Sequence, residues 1–237
     1  VRRSSEGDRA LVLRVSSYGE ADAIVSLLTQ RNGVVSAIAK RARAGGRRRV
    51  VLEPFHTLAV ELAAGNGELW SLRSSTIERA RIALLDDGAR LEVAGEAMRW
   101  IRVLSPARTP EPEVFAAAIV LLDRLAELGS NGGSPEGSLA AFGLELLDAL
   151  GYALELSACA RCARPRPTGR AAYLLGRAGG VLCETCRRGV TGSAPLLDGV
   201  LLDRLAADPQ LEEAALLPVV REAIEARAQA VGRGLGR

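Results

Sequence analysis

The clearest chemistry in this chain lies in its four cysteines. They read Cys159-x-x-Cys162 and Cys183-x-x-Cys186, with twenty residues between the pairs and no cysteine elsewhere. Two intervening residues let backbone N–H groups fold around a pair of thiolates. Two such pairs brought together furnish the four ligands of tetrahedral Zn²⁺. Arg161, Arg164 and Arg166 flank the first pair and Arg187 and Arg188 follow the second, where cations favour the thiolate form. One zinc ion held by Cys159, Cys162, Cys183 and Cys186 is the expectation; an iron–sulfur cluster, a redox pair and unliganded thiols are the alternatives. Four thiolates leave no open coordination position, so the metal is expected to be structural and not catalytic.

A second concentration of chemistry is Lys40 to Arg49, KRARAGGRRR, with six basic residues in ten around Gly45-Gly46. Such a segment is no buried element. Lys40, Arg41, Arg43, Arg47, Arg48 and Arg49 are read as contacts that neutralise a nucleic-acid backbone without reading its sequence; a solvated connector is the bland alternative. The net charge of the chain is +3, but residues 1–60 carry +6 and the remainder −3. A basic first quarter ahead of a mildly acidic remainder points to one part that meets a polyanion and another that does not. Tyr18, Phe55 and Trp70 are the only aromatics in the first eighty residues, and Phe55 is expected in the core. Nucleic-acid binding is therefore expected to lean on charge more than on stacking.

Other residues exclude whole classes of function. His56 is the only histidine, placed in an expected strand, so no Ser-His-Asp or Cys-His arrangement is available to a catalyst. The sole lysine, Lys40, follows Ala39, which rules out a phosphate-binding G-x4-G-K-[ST] loop. Asp86-Asp87 and Glu212-Glu213 read as acids near helix starts. The chain is expected not to be an enzyme. Its first residues do not resemble a signal peptide, and the longest uninterrupted apolar run, Val114 to Leu122, is too short to span a bilayer. A cytoplasmic protein without a membrane partner is expected, in a compartment that disfavours disulfides.

Periodicity indicates what positions these residues. Residues 10–16, 23–29, 34–40, 55–62 and 68–74 read as five short strands, joined by Tyr18-Gly19-Glu20, Arg31-Asn32-Gly33, the basic loop and Gly65-Asn66-Gly67. Five strands in about seventy residues predict a small OB-type β-barrel, with an SH3-like barrel as the rival. From about residue 85 the period becomes helical. Leu91, Ala94, Met98 and Ile101 form one stripe, and Ala117, Leu121, Leu125 and Leu128 a second. Leu139, Phe142, Leu146 and Leu150 make a third, and Leu217, Val220, Ile224, Ala228 and Val231 a last one. The expected fold class is multidomain β + α: an N-terminal OB-type barrel, residues 1–80, followed by a helical bundle, residues 81–237, with an inserted four-cysteine zinc finger at 157–190.

In this order of parts the chain resembles the RecO family. Tyr18-Gly19-Glu20-x-Asp22 leads to Leu27-Leu28-Thr29, then Gly33, Ser36-Ala37-x-Ala39-Lys40 and Ala42-Arg43. Leu52-Glu53-Pro54-Phe55 follows, in the family's order and spacing, and Gly179-Gly180-x-x-Cys183-x-x-Cys186 is similar to the family's finger. Arg41 departs from it, standing where the family usually has glycine. The resemblance implies a bacterial recombination mediator of DNA repair that binds single- and double-stranded DNA and anneals complementary strands without ATP. With RecR it would help place RecA on DNA coated by single-strand-binding protein, whose acidic C-terminal tail it would recognise, as a nucleoid-associated protein. The resemblance also implies that zinc stabilises the fold and is not the working part. The alternative is a zinc-finger transcription or translation factor that touches nucleic acid through the four-cysteine module, with Arg161, Arg164, Arg166 and Arg170 as contacts. A purely structural adaptor is a third reading.

Overall fold

The structure, a computed structural model, describes residues 6–42, 50–65, 67–131, 133–191, 194–208 and 210–232. Two compact units are present, Val1–Glu127 and Leu128–Arg237. In the first, β1 (Glu6–Tyr18), β2 (Asp22–Thr29), β3 (Gly33–Ala39), β4 (Thr57–Ala63) and β5 (Leu69–Arg79) close a barrel in the order β1-β2-β3-β5-β4. The β3–β5 pairing is parallel, and β1 returns antiparallel to β4. That circuit is the OB arrangement, which decides against the SH3-like rival. One long strand makes the closure possible. β1 pairs with β4 through Glu6–Ala10 and with β2 through Ala10–Tyr18, and a bulge between Val12 and Arg14 bends it from one neighbour to the other.

Alternation places Ala10, Val12, Val25, Leu27, Val35, Ala37, Leu58, Val60, Leu62 and Leu72 in the barrel interior, with Trp70 packed against them. The β2–β3 turn needs its glycine twice over. Gly33 has φ 64°, and a Cβ there would lie 1.8 Å from the Thr109 carbonyl oxygen. The buried Asp8 carboxylate accepts from the Arg31 N–H at 3.2 Å and from Asn32 Nδ2 at 2.9 Å, which holds the same turn. Phe55 departs from expectation. The fourth strand begins only at Thr57, and Phe55 sits half-buried in a turn at φ 66°.

This unit is completed by α1 (Ile82–Leu85), α2 (Gly88–Leu104) and α3 (Pro112–Asn131) as far as Glu127. Asp87 caps α2, its carboxylate accepting from the Ala89 and Arg90 N–H groups at 2.9 and 3.1 Å. Between barrel and helices lies Arg81, only 3% exposed. Its Nε donates to Asp123 Oδ1 of α3 at 2.6 Å, and Nη1 donates to the Phe55 carbonyl at 3.0 Å and to Thr57 Oγ1 at 3.1 Å. The Arg81 backbone N–H donates to Nδ1 of the buried His56 at 3.3 Å. Arg79 adds a second ion pair to Asp123 at 3.0 Å.

In the second unit α4 (Pro135–Ala149) begins at Ser134, whose Oγ accepts from the Gly137 N–H, with Pro135 in the first turn. A three-stranded sheet follows, β7-β6-β8, made of β6 (Gly169–Leu175), β7 (Gly180–Leu182) and β8 (Leu196–Asp198). The short α5 (Glu184–Arg187) comes after β7, then α6 (Gly199–Ala207) and α7 (Leu217–Ala230). α7 packs on α4 and on the 3₁₀ turn Gly176–Ala178, where a Cβ on Gly176 would come 2.2 Å from the Val219 carbonyl oxygen. Leu217, Val220, Ile224 and Ala228 are buried as the stripe predicts, while Val231 is exposed beyond the helix end. No helix among the described residues is long and apolar enough to cross a membrane.

Removing one partner of a buried ion pair leaves the other uncompensated, which typically costs about 3–5 kcal/mol. Arg81→Ala and Asp123→Ala are each expected to lower stability to urea by about 3 kcal/mol or more. The double variant should lose less than the sum; strictly additive losses would show that the two are not coupled. His56 gives a pH signature. Burial holds its pKa below the usual 6.5, opposed by Glu53 and reinforced by Arg81, so the folded state carries it neutral. That stability is fully present above pH 6.5 and is lost as pH falls through the folded-state pKa. His56→Gln should flatten this part of the stability–pH curve, and an unchanged curve would assign the acid loss to other groups.

Candidate functional site

The four cysteines arrive from two separate turns that the backbone brings together. After α4, Glu155 runs beside β7. Its N–H donates to the Gly179 carbonyl at 2.8 Å, and its carbonyl accepts from the Val181 N–H at 2.8 Å. Gly180 permits this approach, because a Cβ there would lie 2.2 Å from the Glu155 carbonyl oxygen. Gly179, at φ 75°, closes the preceding 3₁₀ turn. The Glu155 carboxylate then accepts from the Ser157 N–H at 2.7 Å, the Ser157 hydroxyl at 2.6 Å and the Ala158 N–H at 3.1 Å, which starts the first cysteine turn. The same bonds hold this carboxyl below the ordinary glutamate range, with the Ser157 hydroxyl the largest contributor.

The first turn is a tight loop. Cys159 N–H donates to the Arg164 carbonyl at 2.9 Å, Ala163 N–H donates to the Cys159 carbonyl at 2.8 Å, and Ala163 takes φ 56°. The Ala160 N–H donates to the Val181 carbonyl at 2.8 Å, fastening this loop to the strand that ends one residue before Cys183. The second pair opens α5, where the Arg187 N–H returns to the Cys183 carbonyl at 2.9 Å. Cys159 is buried at 4% exposure and packs with Leu175, Leu182 and Ala194.

The resulting sulfur cluster is compact: all four Sγ atoms lie within 4.8 Å of one another. Cys162 Sγ and Cys183 Sγ are 3.8 Å apart. A tetrahedral zinc with Zn–S bonds of about 2.3 Å needs sulfurs about 3.8 Å apart, so the donor set and its spacing suit that ion. Cys183 N–H points at Cys159 Sγ at 3.5 Å. Burial pushes the Cys159 thiol up, but N–H groups of Cys183, Arg161 and Cys162 outweigh it and hold the pKa down to about 6. Cys183 is also lowered, mainly by the Cys186 N–H, whereas sharing a proton with Cys183 pushes Cys186 up to about 12. These causes differ from the expectation that flanking arginines favour the thiolates. Arg166 is turned away, paired with Asp203 of α6 at 2.6 Å and donating to the Leu156 and Arg170 carbonyls. Arg188 pairs with Glu184, and Arg187 lies over the Tyr173 ring at 5.8 Å.

Of the residues expected to contact nucleic acid, Lys40 and Arg41 are exposed where β3 leaves the barrel. Arg43, Arg47, Arg48 and Arg49 lie outside the described residues. Arg41 has φ 55°, and its N–H donates to Asp22 Oδ1 at 2.7 Å. This is a left-handed position of the kind that favours glycine, and Arg41 adopts it. Among the aromatics, Trp70 packs on the barrel core and Tyr18 is 51% exposed.

Comparison with known proteins covers both units. The family descriptions Recombination protein O N terminal and Recombination protein O C terminal match residues 5–81 and 85–233. The curated DNA repair protein RecO of Anaeromyxobacter sp. (strain K) is 38% identical over 235 residues, covering 96% of this chain and 90% of that protein. DNA repair protein RecO of Geobacter sulfurreducens is 37% identical over 180 residues, covering 76% of this chain and 72% of its own. That of Thermobifida fusca is 35% identical over 187 residues, with shares of 76% and 72%. With an OB barrel in front, helices and a four-cysteine cluster behind, and matches along both, the chain belongs to the RecO family.

Proposed function

We propose that the chain is a non-catalytic recombination mediator of DNA repair, cytoplasmic and nucleoid-associated, that binds single- and double-stranded DNA through its barrel. Residues 1–80 are the DNA-binding domain, and residues 81–237 the helical domain with its finger at 157–190. Lys40, Arg41, Arg43, Arg47, Arg48 and Arg49 contact phosphates. A cationic surface screens the repulsion between two phosphate backbones, which is sufficient for strand annealing without a nucleotide. Working with RecR, the protein helps load RecA on single strands coated by single-strand-binding protein, and it recognises the C-terminal tail of that protein. The observation that carries this reading is the closed β1-β2-β3-β5-β4 barrel in a RecO-family chain, with Lys40 and Arg41 exposed at the start of the basic loop.

Cys159, Cys162, Cys183 and Cys186 hold one structural zinc ion. When bound, the ion would cross-link the two cysteine turns and so stabilise the fold. Purified protein is expected to contain about one zinc per chain by elemental analysis. Cys183→Ser should lower the stability of the second unit and leave DNA affinity largely intact. Iron, or metal-free protein from a fresh reduced preparation, would overturn the zinc assignment.

The mediator reading has its own test. Two complementary strands, each coated with cognate single-strand-binding protein, should anneal faster when the protein is added without nucleotide. The acceleration should fall with added salt, which screens the arginines. It should drop sharply in the Arg47→Ala, Arg48→Ala, Arg49→Ala triple variant and survive His56→Gln. A need for ATP, or DNA binding with no acceleration, would count decisively against the mediator.

A further inference from the structure

The basic loop is not the only cationic feature of the first unit. Arg99 and Arg102 stand three residues apart on α2, which puts them on one side of the helix, and α2 packs against β1 and β2. Arg14 projects from β1, exposed, on the far side of the bulge. Arg99 and Arg102 are half-buried, and none of the three arginines forms an ion pair among the described residues. Burial lowers the Arg102 pKa first, and repulsion from Arg14 and then from Arg99 lowers it further. A fold that gathers like charges without a counter-charge carries an electrostatic penalty that a bound anion relieves.

Strand geometry extends this cluster. Side chains alternate across a strand, so Arg14, Ser16 and Tyr18 share one face of β1. Their partners on β2 are Ser26, Ile24 and Asp22, whereas Val25, in between, belongs to the barrel core; the shared face is therefore the outer one. Tyr18 is 51% exposed at the end of that row, opposite Asp22. Asp22 accepts the Arg41 N–H, so the exposed ring lies beside the point where Lys40 and Arg41 begin the basic loop. From Arg14 to Tyr18 is about 13 Å at the usual rise of a strand.

We propose that a single DNA strand runs along the outer face of β1, its phosphates held by Arg14, Arg99 and Arg102 and one base stacked on Tyr18. The path ends at Lys40 and Arg41, exposed where β3 leaves the barrel. It rests on the DNA-binding reading given above and adds the route, the helix that shares in it and the stacking residue.

The two kinds of interaction leave different signatures. Binding of a labelled oligothymidylate and of a labelled duplex is followed by anisotropy over a salt series. The Arg99→Gln, Arg102→Gln double variant and the Arg14→Gln single variant should both weaken single-strand binding. The slope of log affinity against log salt should fall by roughly 0.7 for each phosphate that is no longer neutralised. Tyr18→Ala should weaken the single strand by about fivefold or more, leave the salt slope and duplex affinity unchanged, and be rescued by Tyr18→Phe. Thermal melting checks that the variants fold; Arg14→Gln, on an exposed strand surface, carries the test if the helix variant does not. If wild-type protein binds DNA but the arginine variants keep its affinity and slope, the path is wrong and the DNA-binding reading stands. Equal losses of single-strand and duplex binding in Tyr18→Ala would overturn the stacking role. A wild-type protein that binds neither DNA overturns both readings.

Discussion

A guanidinium that is 3% exposed has to find its hydrogen-bond partners inside the protein, and the first unit is organised around how Arg81 finds them. The residue lies between the last strand of the barrel and the first helix. Its side chain reaches back to Phe55 and Thr57, where β4 begins, and across to Asp123 on α3. One side chain therefore fixes two distant stretches of chain against its own. The left-handed turn at Phe55 supplies one of the acceptors, its carbonyl. Burial holds the His56 pKa down, and its Nδ1 accepts the Arg81 backbone N–H. A buried ion pair adds little net stability over a hydrophobic replacement, but it penalises every alternative docking that separates the partners.

The cysteine cluster solves a similar problem with a different device. Each cysteine turn is local, closed by its own backbone bonds, and neither turn alone places more than two sulfurs. Their convergence depends on Glu155 bridging to Gly180 of β7, and on Ala160 donating to Val181. Gly180 is what makes that approach sterically possible. Arg166 then ties the loop to α6 through Asp203, which also accepts the Gly169 N–H at 2.6 Å. The convergence of the four sulfurs is thus an outcome of sheet pairing and one glycine, with the cysteines supplied at the ends of elements already in register.

These two cases separate what is legible in the sequence from what is not. Cysteine spacing, strand alternation and the helical stripes are local patterns, and each points to its element directly. The turn at Arg31-Asn32-Gly33 is legible for the same reason, although the clash with Thr109 that forbids a side chain at Gly33 is not. The parallel β3–β5 pairing that separates an OB barrel from an SH3-like one joins strands far apart in the chain, and strand counting does not reach it. Phe55 reads as a strand residue because Phe55 to Leu62 alternates, while it takes a left-handed turn whose carbonyl accepts from Arg81. The arginines beside the cysteines read as their neighbours by proximity in sequence, yet Arg166 answers to Asp203, 37 residues away. The grouping of Arg14 with Arg99 and Arg102 is invisible for the same reason, since it exists only once α2 packs on β1.

The chemistry of the basic residues bears on all of these sites. Lys40 is the one lysine among 31 basic side chains, and the arginines work in places where lysine would fail. Burial lowers the pKa of both Arg81 and Arg102, but a guanidinium starts high enough to stay charged in proteins. An ammonium starts about two units lower, is more strongly hydrated, and loses its proton readily under the same desolvation. At Arg81 the fork geometry also matters, since Nε and Nη1 face different acceptors and one ammonium has no equivalent spread. On the α2 surface a half-buried guanidinium presents charge to a phosphate while its stem covers apolar surface. Arginine thus lets one unit hold a buried docking charge and an uncompensated surface cluster together. The first requires permanent ionisation in a desolvated site, and the second requires it despite repulsion from its own neighbours.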